Sequence, residues 1–268
     1  MALSWSWFAP DFLWEGKCRN DVMAKRRSII TMKFCNINFN ISNKKELFEK
    51  TDQKTKCIIT VNAQIIVYAN ENPRLMKFID KNYATMDGEV PLKVSKIINP
   101  NFRNVIKLSG SDIVYDFCDY AQKNNMKIFF LGGKENSVKK AIANVKKNYA
   151  IQADGFSPDF ENYPFSNNFT KSCQEHIKKF RPDILFVGFG AKKQEYFMED
   201  NQSFLDECGV KYAIGSGGTV DFVAGNIKRA PKWISKIGLE GMYRFFQEIS
   251  IERAKRIIVS FRFFKYIK

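Results

Sequence analysis

From Met32 onward the chain alternates short apolar runs with longer stretches whose apolar positions recur at helical spacing. The pattern predicts strands near residues 33–39, 57–61, 84–86, 127–131, 150–154, 183–188 and 210–214. It predicts helices at about 43–53, 63–70, 73–81, 110–124, 136–148, 168–180 and 192–206, several opened by a Ser, Asn or Asp placed as a cap. Short apolar runs separated by helices are the signature of an α/β fold, Rossmann-like, with a mostly parallel sheet covered by helices on both faces. Residues 157–168, with their prolines and asparagines, read as a long exposed loop, and no repeat or low-complexity tract is present.

Two segments depart from this rhythm. Residues 1–31 carry Trp5, Trp7 and Trp14, while Asp11 and Glu15 interrupt any signal-like core. They are expected to be a disordered leader, or a mis-assigned start, outside the catalytic α/β domain at 32–231; an aromatic membrane-interface anchor is the rival reading. Residues 232–268 form a basic amphipathic appendage in which Arg244, Arg253, Lys255, Arg256 and Arg262 interleave with Tyr243, Phe245, Phe246, Ile258, Phe261 and Phe263. Such a segment suits an anionic bilayer surface, or a helix packing its aromatics on the core, or both. No run approaches the roughly 18 apolar residues of a spanning helix.

Charge sharpens the choice of partner. Against 28 acidic residues stand 43 Lys and Arg, a formal charge of +15, which favours nucleic acid, nucleotide phosphates or an acidic membrane surface. The cations concentrate in the tail rather than in a nucleic-acid reading motif, so no nucleic acid is expected. Six cysteines show no C-x-x-C pair and no clustering with histidine, which argues against zinc and disulfides and for a reducing cytosol. The one histidine, His176, lies on a polar helix and reads as exposed, so Ser–His and Cys–His nucleophiles are not expected. No Asp-x-Asp occurs. Without that acidic clasp no metal or other cofactor is expected, and leaving-group charge falls to lysine, arginine and backbone N–H groups.

Candidate chemistry sits where predicted strands end. Ile184 to Glu195 reads as a strand, a glycine-bracketed turn with Gly190, and a helix opened by Lys192, Lys193, Gln194 and Glu195, a junction suited to phosphate. A second junction follows at Gly215-Ser216-Gly217-Gly218, leading to Asp221 and Arg229. The strand at 57–61 ends in Thr60 and Asn62, the latter equally explained as a helix cap. Asp87-Gly88 ends a short strand and offers a carboxylate base, although an aspartate before glycine is also a common turn.

The ordered set Thr60-x-Asn62, Asp87-Gly88, Ser109-Gly110-Ser111-Asp112, Gly132-Gly133, Gly188 to Glu195, Gly225 and Arg229-Ala230-Pro231-x-Trp233 resembles the WecG/TagA/CpsF family, glycosyltransferase family 26, over about residues 33–256. The resemblance implies inverting transfer of an N-acetylmannosamine-type sugar from a UDP donor to a polyprenyl-diphosphate-linked acceptor, in surface polysaccharide or wall-polymer synthesis. It also implies a metal-independent mechanism in the cytoplasm, peripheral at the inner face of the plasma membrane. By residue, it puts the base at Asp87 and substrate contacts at Thr60, Asn62 and Gln194. The wider substrate set is Lys107, Gly132, Gly133, Gly190, Lys193, Glu195, Gly217, Asp221 and Arg229, with Arg244, Arg253 and Arg256 toward an acceptor diphosphate. Three positions depart from the family pattern: Lys107 replaces an arginine, Ala191 a proline and Gly241 a tryptophan. Two other readings stand beside it. A nucleotide-sugar or dinucleotide-dependent oxidoreductase would share the sheet, but neither glycine cluster completes G-x-G-x-x-G; a non-catalytic scaffold of a polysaccharide complex would share everything but the chemistry. Oligomeric state is left open.

Overall fold

The computed structural model describes residues 32–267 apart from Lys50, Asp52, Gln53, Lys232, Ser235, Lys236, Ile237 and Glu248, and apart from the side chains of Gly241, Arg244 and Glu252. The expectation for residues 1–31 lies outside the described residues. Six strands, β3 (Lys56–Val61), β4 (Tyr83–Met86), β5 (Ile128–Leu131), β6 (Ala153–Phe156), β7 (Ile184–Val187) and β8 (Tyr212–Gly215), form one parallel sheet in the order β4-β3-β8-β7-β5-β6. Every residue of β3, β5, β7 and β8 is buried, which is why these strands read as largely apolar runs, with Lys56 and Thr60 of β3 as buried exceptions.

Alternate side chains feed two cores. Ile59, Val61, Phe129, Leu131, Leu185 and Val187 face α2 (Ala63–Glu71), α3 (Pro73–Lys81), α7 (Asn167–Phe180) and α8 (Lys193–Asp200). Ile58, Ile128, Phe130, Ile184, Phe186 and Ile214 face α5 (Gly110–Asn124), α6 (Glu135–Asn148) and α10 (Thr219–Val223). The spans 73–81 and 110–124 fall where the sequence puts them: Asn72 accepts from Leu75 N–H with Pro73 opening α3, and Asn125 in the left-handed region closes α5.

Other boundaries move, each for a local reason. The single strand predicted at 33–39 is a hairpin of β1 (Met32–Phe34) and β2 (Ile37–Phe39), because Cys35 and Asn36 take φ of 48° and 66° and reverse the chain. The helix predicted at 43–53 is one turn, α1 (Lys44–Leu47), whose trailing carbonyls at 46, 47 and 49 hold the buried Lys56 ammonium at 2.8–3.2 Å. Burial pulls that lysine down to about 8. The helix predicted at 192–206 splits into α8 and α9 (Gln202–Cys208) at the buried Asn201, which accepts from Gln174 at 2.7 Å and donates to the Phe197 carbonyl at 2.8 Å. The strand predicted at 150–154 starts at Ala153 and that at 210–214 at Tyr212, since Val210 N–H closes α9 on Leu205. A helix without a counterpart in the reading, α4 (Glu89–Ile98), follows Gly88 and keeps Pro91 in its first turn, where no N–H is missed.

Beyond Trp233 come α11 (Glu240–Gln247) and α12 (Ile251–Phe261), with α12 and the 3₁₀ turn Arg262–Tyr266 against α2. Phe263 is buried there, and Arg262 and Tyr266 both bond Glu71. Ile251, Ile258 and Phe261, spaced along one side of α12, are 70%, 66% and 63% exposed.

Candidate functional site

In an open parallel sheet, ligands bind beyond the carboxyl ends of the strands where the winding reverses. Here β3 leads outward to β4 and β5 outward to β6, while β7 leads to β8 between them. The loops after β3, β4, β5, β7 and β8 therefore emerge at one edge of the sheet, and they carry Asn62, Asp87, Gly132, Gly190 and Gly217.

Asp87 continues β4: its N–H donates to the Val61 carbonyl at 2.8 Å, and the side chain is half-buried. The segment ahead of α5 runs alongside, with Leu108 N–H on the Met86 carbonyl at 2.8 Å and Thr85 Oγ1 on the Leu108 carbonyl at 3.0 Å. That brings Lys107 to Asp87. Burial would lower the Lys107 ammonium, but the charges of Glu240, Asp112 and Asp87 outweigh it and hold it above the usual lysine value. Its Nζ lies 3.3 Å from Glu240 Oε2, so α11 is tied to the loop beside the candidate base. Arg229 donates to Asp112 and to the Ser111 carbonyl and lies over the Tyr115 ring. Burial alone would raise Asp112; hydrogen bonds from Ser109 and Arg229, with the charges of Arg229 and Lys107, hold it low. Lys44, Lys107, Asp112, Tyr115, Asp116 and Arg229 line an open cavity of about 470 Å³.

A second group forms where β3, β8 and β7 end. Thr60 is buried and donates to the Gly215 carbonyl at 2.8 Å, while Asn62 Oδ1 caps α2 through Ile65 N–H at 3.0 Å. Gln194, 4% exposed, accepts from Gly217 N–H at 2.9 Å and donates to Glu195 Oε1 at 2.8 Å. Burial pushes the wholly enclosed Glu195 carboxyl up to about 7.

The start of α8 is cationic. Lys192, the cap at φ 70°, sets its ammonium over the Tyr68 ring, and Lys193 donates to the Glu161 carbonyl at 3.0 Å with Phe160 beneath it. Burial and then the charge of Arg256 both lower Lys193, so α12 brings a second cation to the α8 N-terminus. Arg253 is half-buried and Arg256 exposed; the side chain of Arg244 lies outside the described residues. Gly132, at φ 94°, faces Phe189, whose ring would lie 2.8 Å from a β-carbon there.

The structure thus joins Gln194, Glu195 and Gly217 by hydrogen bonds, with Thr60 on the nearby Gly215 carbonyl, brings Lys107 near Asp87, and sets Lys193 beside Arg256. Asp221 stands apart, its carboxylate taking Ser137 Oγ at 2.6 Å between α10 and α6, with Gly133 against the neighbouring Val220. Arg229 faces the cavity rather than the glycine turns. Glu240 and the Asp112 contact with Arg229 escaped the sequence reading because each is defined by a partner more than a hundred positions away.

Residues 32–267 match the model of the glycosyl transferase WecG/TagA/CpsF family. The chain belongs to this family. Three relatives each bear the name N-acetylglucosaminyldiphosphoundecaprenol N-acetyl-beta-D-mannosaminyltransferase. The Bacillus spizizenii protein is 28% identical over 70% of this chain and 69% of its own. The Bacillus subtilis protein is 26% identical over 78% and 79%, and that of Staphylococcus aureus 26% identical over 76% and 77%. Membership decides against the oxidoreductase reading. In this WecG/TagA/CpsF glycosyltransferase a carboxylate, Asp87, follows the end of β4, and glycine turns and lysines follow the ends of β7 and β8 at the same edge of the sheet. Such turns and lysines can receive negative charge as it develops on a leaving group.

Proposed function

We propose that this glycosyltransferase moves an N-acetylmannosamine-type sugar, with inversion, from a UDP donor to an N-acetylglucosamine linked through diphosphate to a polyprenyl lipid. It works without a metal, as a peripheral protein at the inner face of the plasma membrane. The names of the relatives support the acceptor and the transferred sugar. The reading is supported by two features at the carboxyl ends of one parallel sheet: the half-buried Asp87 directly after β4, and the cations Lys192, Lys193 and Arg256 gathered at the start of α8 after β7.

In the proposed step the acceptor hydroxyl attacks the anomeric carbon as the bond from that carbon to the diphosphate oxygen breaks. Asp87 takes the hydroxyl proton, a role typically worth about 10²- to 10⁴-fold. Lys107 lies near it. The electron pair of the broken bond goes to UDP, whose added charge meets Lys192, Lys193, Arg256 and the turn amides. These interactions grow toward the transition state and so lower the barrier. Arg253 and Arg256 also suit the acceptor diphosphate, and the exposed apolar side of α12 suits the bilayer carrying it.

Asp87→Asn is expected to abolish transfer, by about 10³-fold or more, while UDP-sugar binding persists. The check is UDP release and product mass over a panel of UDP-sugars with a lipid-diphosphate acceptor, run in EDTA. Wild-type turnover by the variant removes Asp87 from the mechanism, and loss of wild-type activity that Mg²⁺ restores removes the metal-free claim.

A further inference from the structure

Side chains of consecutive helical residues ordinarily diverge. Gln194 and Glu195 nevertheless meet, because Gly215 leaves a notch into which both turn: a β-carbon at 215 would lie 2.9 Å from Gln194 Nε2 and 3.1 Å from Glu195 Oε1. Glu195 is the third residue of α8, from which a carboxyl turns back onto the cap amide. The Lys192 N–H does act on this carboxyl, and Lys192 holds the left-handed φ of 70° that shapes the turn after β7. Glu195 Oε1 receives Gln194 Nε2, which leaves Gln194 Oε1 to take the N–H of Gly217, itself at φ 54° in the turn after β8. The remaining oxygen, Oε2, is buried with no hydrogen bond among the described residues. A polar atom kept there at such a cost does more than fill space.

We propose that Glu195 is a positioning residue for sugar transfer: through Gln194 it locks the glycine turns after β7 and β8 into one surface that receives the departing diphosphate. The inference rests on the transferase reading of that sheet edge. An unoriented glutamine amide would as readily aim its NH₂ at the Gly217 N–H, where it repels; the Glu195 oxygen selects the other rotamer. Glu195 touches no reacting atom and acts only through the backbone it fixes.

The test compares Glu195→Leu and Glu195→Met, which fill the notch without an acceptor, with Glu195→Gln, which returns one acceptor oxygen to Gln194. Three quantities are read on folded protein: kcat and KM with a UDP-sugar and a lipid-diphosphate acceptor, UDP affinity by calorimetry, and hydrogen-exchange protection of residues 215–218 on adding UDP. The apolar variants are expected to lose at least about tenfold in kcat and in UDP affinity, with acceptor KM within about twofold and the UDP-induced protection gone; Gln recovers most of each. Wild-type kcat, UDP affinity and protection in either folded apolar variant overturn the proposal. So does failure of both apolar variants to fold, or an equal loss in Leu and Gln that raises both KM values alike, since packing alone would explain those. If wild-type protein binds UDP but transfers nothing, the transferase reading fails separately, and the exchange protection still reports on the Glu195 link.

Discussion

A carboxyl with no countercharge resists ionisation, and Glu195, wholly enclosed, is such a group. Its folded value of about 7 stands above the ordinary 4.5, so the folded state holds the proton more tightly than the unfolded chain. Its contribution to stability is complete below pH 4.5 and is lost as pH rises through 7. The whole loss is about 3 kcal/mol. Glu195→Gln has no proton to give up. Raising the pH from 5 to 8 is therefore expected to lower the melting temperature of the wild type by on the order of 5–10 °C more than that of the variant. Parallel melting curves across that range would show that the carboxyl is solvated after all. That Asp87 follows a strand and that Lys193 and Gln194 open a helix could be read from sequence, because apolar runs and glycines mark those junctions. The enclosure of Glu195 could not, since it depends on a notch left by Gly215 in another strand.

Between strands and helices, the glycines that matter are those a side chain would force apart. Gly132 and Gly190 both take positive φ, 94° and 85°, so both resist alanine through backbone strain. They differ in surroundings: a β-carbon at Gly132 meets the Phe189 ring at 2.8 Å and the Gly188 carbonyl carbon at 3.1 Å, whereas nothing lies within 4 Å at Gly190. Phe189 has little freedom to yield, being packed edge-on to Phe197 and Phe165 with centroids 5.2 and 5.6 Å away. Gly132→Ala is expected to cost at least about 1 kcal/mol more than Gly190→Ala in denaturant unfolding, and equal costs would refute the steric account. The same distinction explains what the chain discloses about its elements. Spans bounded by strong local signals, such as Asn72-Pro73 ahead of α3, are legible to the residue. The break at Asn201 is not, because Gln174 on α7 makes it.

At the scale of the molecule, an exposed apolar stripe on an otherwise basic helix calls for an apolar neighbour. Ile258→Ser with Phe261→Ser removes two side chains that the core does not use, so folding should be unaffected. Partition to vesicles containing anionic lipid is expected to fall at least about tenfold, given about 1.5–3 kcal/mol for full burial of each such side chain. Sedimentation of both proteins with vesicles checks this, and equal partition would assign the stripe to something other than lipid.

The strand order has a further cost in time. Its central pair matches Lys56 with Tyr212, and so joins the first strand of the sheet to the last. A chain emerging from the ribosome carries β3 without its inner neighbour until nearly everything else has been synthesised. Distant pairings of this kind are slow to form and leave unpaired edges open to other chains meanwhile. The sheet edge that carries Asn62, Asp87, Gly132, Gly190 and Gly217 is drawn from segments spread along the chain, and it is complete only when that last strand slots home.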